Sequence, residues 1–171
     1  MGVPEPAGGL DPVALETALM ETWSEEGTFG ATIEARRDGA SPFTFLEGPP
    51  TANGRPGIHH VISRLFKDMV CRWKTMEGHV VERKGGWDTH GLPVEIEVQK
   101  KLDLMSNDAI EAYGMEAFNE RCKESVWTYE EAWREMTERM GFWVDMDDPY
   151  VTLHDEYIES AWWSLKRMFD K

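Results

Sequence analysis

Apolar residues recur at helical spacing in several parts of the chain, and the first part begins near residue 11. Asp11 followed by Pro12 predicts a helix start, because an aspartate side chain accepts bonds from free backbone N–H groups and proline fits the first turn. The apolar positions that follow are Leu15, Leu19 and Trp23. The pattern predicts an amphipathic helix that ends near Gly27.

The second part runs from about His59 to Gly78 and carries the clearest helix pattern in the sequence. Its apolar residues are three or four positions apart, which places them along one side of a helix. They are Val61, Ile62, Leu65, Phe66, Met69, Val70 and Trp73. The basic residues between them are Arg64, Lys67, Arg72 and Lys74. These four are interpreted either as the solvated face of the helix or as positive charge near an anionic ligand.

Short apolar runs on both sides of this helix predict two strands. The first run, from Phe43 to Leu46, ends where Gly-Pro-Pro cannot continue a ladder, and the second is Val80-Val81. Another helix is predicted beyond Pro93. Strand, helix, strand and helix in this order predict a βαβ unit with parallel strands and a right-handed crossover.

The sequence after residue 105 predicts mostly helix. Residues 106–140 are acidic with apolar positions at helical spacing, Asn107 is a candidate cap, and a last helix is predicted from about Asp155. Three tryptophans in or near this region are interpreted as core residues rather than as a stacking platform for a substrate. They are Trp127, Trp133 and Trp143. The helical pattern continues to Lys171 without a closing cap, which predicts that the chain is a piece of a longer one.

Together these elements predict an α/β fold in which part of a parallel-sheet domain carries several added helices. Three regions are expected: a helical extension at 1–40, the first βαβ part of the sheet domain at 41–101, and a helical continuation at 102–171 that is cut short. Ligands of such sheets bind beyond the carboxyl ends of the strands. The loops after the two predicted strands are therefore the first places to look for a site.

Charge supports the same location. The formal charge is −14, but residues 41–101 hold 7 acidic and 9 basic residues while both flanking regions are strongly acidic. Binding nucleic acid over the whole surface requires a basic footprint, which this chain lacks. A small anionic ligand such as a nucleotide is favoured only within 41–101.

Composition excludes several other classes. Cys71 and Cys122 are far apart in sequence and show neither zinc-site nor disulfide-framework spacing. No apolar stretch approaches the roughly 18 residues of a membrane span, and the first residues lack a signal-peptide pattern. A cytoplasmic protein is therefore expected.

The loop after the first predicted strand carries candidate chemistry. Between residues 47 and 60 it contains prolines that stiffen the strand exit, glycines that permit close approach of a ligand, and the pair His59-His60. Histidines at a helix start lie beside free backbone N–H groups, where a polyphosphate is stabilised. An imidazole there can donate to phosphate oxygens, although helix caps or surface groups are the other interpretation.

The second loop, residues 85–93, joins an apolar run to a helix through glycine and proline. Its Asp88 could bind an ammonium group through a charge-assisted hydrogen bond, or could cap the following helix. Two such loops containing His, Asn and Asp make an enzyme site the first hypothesis.

Both loops resemble sequence motifs of the isoleucyl-tRNA synthetases, a class I aminoacyl-tRNA synthetase family. The matching segments are Gly48 to Gly54 followed by Pro56, and Gly86 to Glu95, and the resemblance extends from about Trp23 to Lys171. The valine and leucine enzymes carry different residues around both motifs, so the isoleucine family is preferred. The resemblance implies a Rossmann-type catalytic core that forms isoleucyl-adenylate from isoleucine and Mg-ATP before transfer to tRNA(Ile).

The resemblance also implies roles for individual residues. His59 and His60 would be catalytic and, with Asn53, Gly54 and Gly57, would bind ATP. The amino acid would be held by Pro49, Trp87, Asp88 and Gly91, with Asp88 pairing with its α-ammonium group and Pro93 helping to form the floor. Magnesium would arrive with ATP and not on the protein, tRNA would bind mainly elsewhere, and the full-length enzyme would be a monomer.

One departure from the family pattern affects the nucleotide side. The signature usually reads His-x-Gly-His, whereas here Gly57 stands first and His59 third. We expect compensation, with His59 serving the phosphates and Gly57 relieving the crowding. The family's Lys-Met-Ser-Lys-Ser-like loop is absent from this segment, so the segment alone is expected to be inactive. The alternatives are another adenylating nucleotidyltransferase of the same fold and a silent nucleotide- or protein-binding module.

Overall fold

The computed structural model describes Gly9 and residues 11–51 and 53–171, so most of the first ten residues of the predicted extension lie outside it. Eight helices lie within the described residues: α1 Pro12–Glu25, α2 Thr28–Arg37, α3 Ile58–Met76, α4 Leu92–Leu102, α5 Asn107–Tyr113, α6 Met115–Val126, α7 Glu130–Arg139 and α8 Asp155–Phe169. The strands are β1 Lys84–Trp87 and β2 Asp145–Val151, and a 3-10 turn at Trp127–Tyr129 joins α6 to α7.

The two strands are parallel, which confirms the predicted α/β class. Lys84 pairs with Asp145 and Trp87 with Val151, with an irregularity between Lys84 and Gly86. The segment before α3 runs parallel to the β1 region and is bridged to it at Pro42–Val80 and Thr51–Asp88. Three parallel stretches therefore end on the same side, where the predicted site loops begin.

The predicted strand positions are wrong. Residues 43–46 form no strand, and Val80 makes only an isolated bridge, while β1 lies several residues further on over Lys-Gly-Gly-Trp. A Cβ on Gly85 would lie 2.6 Å from the carbonyl oxygen of Asp145, so a larger residue could not approach β2 this closely. The position of β1 is therefore set by the close approach of its glycines to the backbone of β2, and not by a run of apolar residues.

The helix starts were predicted with mixed success. Asp11 caps α1 by accepting bonds from the N–H groups of Val13 and Ala14 at 3.1 and 3.2 Å, and α8 starts at Asp155, as expected. The predicted cap Asn107 is wrong, because Ser106 is the residue whose side chain accepts the capping bond. The continuation at 102–171 is also not wholly helical, because β2 lies within it, and α2 was not predicted.

Helix α3 lies where the sequence predicts it. It turns polar and charged residues toward the protein interior, and not its apolar stripe. Its buried residues are Arg64, Asp68, Cys71 and Thr75. Its apolar stripe is largely exposed, with Phe66 at 60% and Trp73 at 51%. The interpretation of the basic residues as a solvated face is therefore wrong for Arg64, which is 3% exposed.

A buried ion-pair network explains this orientation. The carboxylate of Asp68 accepts from Arg83 Nη1 at 2.7 Å and from Arg72 Nε at 2.6 Å, and the Arg83 side chain is only 1% exposed. Arg72 also donates to the Gly141 carbonyl at 2.6 Å. Buried charges are stable only when they are paired in this way, so the network fixes α3 to β1 and to the end of α7.

The apolar core lies between the sheet and the helices that follow it. One cluster unites Trp87 and Val151 from the strands with helical residues, and a second lies between α4, α5 and α6. The helical members of the first are Val94, Val126 and Trp133, and the second contains Val98, Ile110 and Phe118. Within the described part of the chain, no helix has the length and apolarity needed to cross a bilayer.

Candidate functional site

The two loops singled out in the sequence meet at the carboxyl end of the sheet. The Asp88 N–H donates to the Pro50 carbonyl at 3.0 Å, and the Thr51 hydroxyl donates to Asp88 Oδ2, also at 3.0 Å. Asp88 follows β1 directly and is half-buried. Its second carboxylate oxygen accepts no bond from any described residue, so it is available to a cationic group.

Threonines join this end of β1 to the end of β2. The Thr89 N–H donates to Thr152 Oγ1 at 2.9 Å, the two hydroxyls are 3.1 Å apart, and the Leu153 N–H donates to Thr89 Oγ1 at 3.0 Å. Both threonines are buried. Asp88 therefore stands on a backbone that is fixed on both sides.

His60 lies at the first turn of α3 with a defined proton arrangement. Its Nδ1 accepts from the Gly57 N–H at 2.9 Å, so in the neutral ring the proton is on Nε2. Partial burial and the neighbouring His59 lower the pKa of His60 below its usual value of 6.5. At neutral pH the ring therefore presents an N–H donor while Nδ1 closes the helix start.

The other histidine of the pair lies on the outside of the same turn. His59 is exposed, and its ring centroid is 3.8 Å from that of His60. A Cβ on Gly57 would lie 3.0 Å from Cε1 of His59. Glycine at 57 thus leaves the space that the His59 ring occupies.

The remaining predicted nucleotide residues lie in the bend before α3. Asn53 is exposed, and the Gly54 carbonyl accepts from Nε1 of Trp133 at 2.9 Å. Trp133 also contacts His60, with ring centroids 4.6 Å apart. Trp133 thus joins the bend to His60.

The predicted amino-acid residues occupy different surroundings. Pro49 is half-buried beside the Pro50–Asp88 bond, whereas Trp87 is 1% exposed and packs in the core. Gly91 has a φ of +89° that glycine tolerates, and its carbonyl accepts from Val94 and Glu95 at the start of α4. Gly91 lines a cavity of about 580 Å³, and neither Asp88, His59 nor His60 is among the residues that line it.

Sequence reasoning missed three contributors to this arrangement. Thr51 and Thr152 carried no recognised signal, and Trp133 was assigned to the core alone. Its core role is confirmed, because it is 2% exposed. Its indole N–H, however, reaches the bend, and a buried tryptophan usually finds a partner for that group. The need for such a partner was the one signal that could have pointed to the contact.

The polar groups of this site can bind charged parts of a ligand. Over Gly9, 11–51 and 53–171 no three His, Cys, Asp or Glu side chains form a group suited to hold a metal ion. What the site offers is one carboxylate with a free oxygen, one imidazole N–H donor and a helix N-terminus. These groups suit an ammonium group on one side and phosphates on the other.

The parallel strands and the loops at their carboxyl ends define an α/β protein of Rossmann type. The family model "tRNA synthetases class I (I, L, M and V)" matches residues 18–171, and the chain therefore belongs to that family.

Individual relatives are similar over nearly the whole chain. It is 54% identical over 157 residues to Isoleucine--tRNA ligase of Dehalococcoides mccartyi, which covers 92% of this chain and 15% of that protein. It is 51% identical over 162 residues to Isoleucine--tRNA ligase of Cutibacterium acnes, covering 95% and 14% respectively. The chain thus spans about 15% of the length of the curated relatives it matches.

A solved structure has the same fold. The LeuRS of Agrobacterium radiobacter, crystallised in a ternary complex with tRNA and LeuAMS, matches with a TM-score of 0.58 at 19% identity. The match covers 90% of this chain and 17% of that protein. At this identity the likeness concerns the fold.

Proposed function

We propose that the protein to which this chain belongs activates isoleucine with Mg-ATP and transfers it to tRNA(Ile). In the first step the isoleucine carboxylate oxygen attacks the α-phosphorus of ATP, and the bond from that phosphorus to the bridging oxygen breaks. Pyrophosphate leaves and isoleucyl-adenylate remains. A ribose hydroxyl of the tRNA then attacks the acyl carbon and displaces AMP.

The meeting of the two loops at Thr51 and Asp88 is the observation that carries this proposal. The Thr51 hydroxyl holds the Asp88 carboxylate, whose other oxygen is free, beside the loop that leads to the start of α3. The relatives named Isoleucine--tRNA ligase support the choice of isoleucine, because their similarity includes both loops.

Each predicted residue has a role in this proposal. Asp88 pairs with the α-ammonium group, Pro49 borders the amino acid, and Trp87 and Gly91 shape the backbone beneath it. On the other side Asn53, Gly54 and Gly57 leave room for the nucleotide, while His59 and His60 donate to the phosphates. Donors aimed at the phosphates stabilise the charge that develops as pyrophosphate departs. Magnesium belongs to the ATP substrate, where it neutralises the same oxygens.

Isoleucine-dependent exchange of pyrophosphate into ATP tests the proposal directly. The full-length protein should catalyse this exchange with kcat/KM higher for isoleucine than for valine or leucine. Binding of ATP without any amino-acid-dependent exchange would instead identify a silent nucleotide-binding module. Exchange that depends on another acid would indicate a different adenylating enzyme.

The permuted signature provides a second prediction. Gly57→His alone should weaken ATP use by about fivefold or more, because the added side chain overlaps the His59 ring and overpacking costs about 1 kcal/mol or more. The double variant Gly57→His with His59→Gly should recover activity, since the second change removes the obstructing ring. KM for ATP in the exchange assay measures both effects. A double variant no better than the single one would show that the two positions are not interchangeable.

The wider setting is also part of the proposal. We infer that the protein acts in the cytoplasm as a monomer and that most of its tRNA contacts lie outside this acidic segment. Two free thiols, Cys71 and Cys122, support a reducing compartment.

A further inference from the structure

Trp133 is a core residue that also contacts the predicted nucleotide-binding residues Gly54 and His60. Its side chain belongs to the main core cluster and is 2% exposed, yet it makes two contacts with the loop and helix start. Nε1 donates to the Gly54 carbonyl at 2.9 Å, and the ring meets the His60 ring edge-on with centroids 4.6 Å apart. The first contact satisfies the buried indole N–H, and the two contacts together tie the loop and the helix start to the core.

Helix α3 contacts Trp133 a second time, one turn after His60. The Arg64 guanidinium lies 5.4 Å from the centre of the indole ring and donates to the Thr137 hydroxyl, which in turn donates to the Trp133 carbonyl at 2.7 Å. All three residues are buried. The indole is therefore fixed before any ligand binds, as an effective positioning group must be.

The bend that Trp133 contacts has little other support. Among the described residues, the bond to the Gly54 carbonyl is the one hydrogen bond made by residues 53–56. Asn53 and Arg55 are exposed. Without the indole N–H, this carbonyl would lose its protein partner, and the bend would sample more conformations.

We propose that Trp133 is a positioning residue for ATP: it fixes the bend at Asn53 and Gly54 and sets the His60 ring so that Nε2–H faces the phosphates. The proposal rests on the proposed adenylate-forming function. It assigns Trp133 to the nucleotide and not to the amino acid, because the contacts of Asp88 run through Pro50 and Thr51 instead. Trp133 itself does not touch the substrate.

Two substitutions in the full-length protein separate this role from packing. Trp133→Phe keeps an aromatic ring but removes the N–H donor, and Trp133→His restores a ring N–H at a similar distance from Cβ. Trp127→Phe is the matched control, because Trp127 is 41% exposed and lies only two turns earlier in the chain. The dissociation constant for ATP is measured by calorimetry, and KM for ATP and for isoleucine by pyrophosphate exchange.

We expect Trp133→Phe to weaken ATP binding about tenfold, the effect of one lost hydrogen bond of about 1.4 kcal/mol. KM for isoleucine should stay within about twofold, Trp133→His should recover part of the ATP affinity, and Trp127→Phe should match the parent. Equal weakening of both substrates, unchanged ATP affinity, or loss of folding in both Trp133 variants would overturn the proposal and leave Trp133 as a core residue alone.

The same measurements distinguish a failure of this inference from a failure of the proposed function. If the parent binds ATP but shows no isoleucine-dependent exchange, the proposed function is wrong while the calorimetric comparison still decides the role of Trp133. If the parent is active and Trp133→Phe binds ATP normally, only the positioning role fails.

Discussion

Asp88→Asn in the full-length protein should lower kcat/KM for isoleucine in pyrophosphate exchange by about 30-fold or more. Removing one member of a desolvated, hydrogen-bonded charge pair costs about 2 to 5 kcal/mol, and the α-ammonium group would lose its counter-charge. Asparagine has nearly the same shape and can still accept from the Thr51 hydroxyl, which lies 3.0 Å away. The loss would therefore report on charge rather than on a collapsed loop.

Two further variants complete this experiment. Thr51→Val removes only the hydroxyl that orients Asp88, so we expect a smaller rise in KM for isoleucine with KM for ATP unchanged. Asp108→Asn changes an exposed carboxylate in the first turn of α5 and should have no effect on either constant. A parental KM for isoleucine in the Asp88→Asn variant would refute the proposed ammonium site.

The second large effect concerns stability. Asp68→Asn should lower the free energy of unfolding by about 3 to 5 kcal/mol, because it leaves buried guanidinium groups without a counter-charge. Arg83 is the most affected, since its side chain is 1% exposed and burial already lowers its pKa below the usual value. Urea denaturation of the parent and variant polypeptides measures the difference.

A matched control and a compensating change test the cause. Asp148→Asn breaks an exposed pair with Lys84 and should leave the urea midpoint almost unchanged. Adding Arg83→Met to Asp68→Asn should recover part of the lost stability, because it removes one of the unpaired charges. If Asp68→Asn unfolds at the same urea concentration as the parent, the network contributes nothing measurable.

Elements with strong local signals were predictable from the sequence. Helix α1 has a capping aspartate followed by proline, and α3 has a long apolar period, so local interactions specify both. The two loops were also identifiable, because glycine, proline, histidine and aspartate occur there between regular segments. The meeting of these loops follows from parallel pairing, which brings the carboxyl ends of neighbouring strands together.

The parts that sequence reasoning missed depend on contacts between distant residues. Strand β1 contains two glycines and β2 contains three aspartates and a proline, so neither has strand propensity, and their mutual pairing overrides the local preference. The spacing of apolar residues in α3 shows that the helix has an apolar stripe, but it does not show which face of the helix packs against the rest of the protein. Burial of Arg64 and Asp68 depends on partners beyond residue 82, which no local pattern reveals.

The bond between Thr89 and Thr152 also has a consequence for biosynthesis. These residues are 63 positions apart, so at about 5 to 20 residues per second the ribosome adds Thr152 roughly 3 to 13 s after Thr89. During that interval the nascent chain carries β1 with one edge unpaired. An unpaired strand edge of this kind favours non-native pairing, so the pace of translation through residues 90–152 would influence the yield of folded protein.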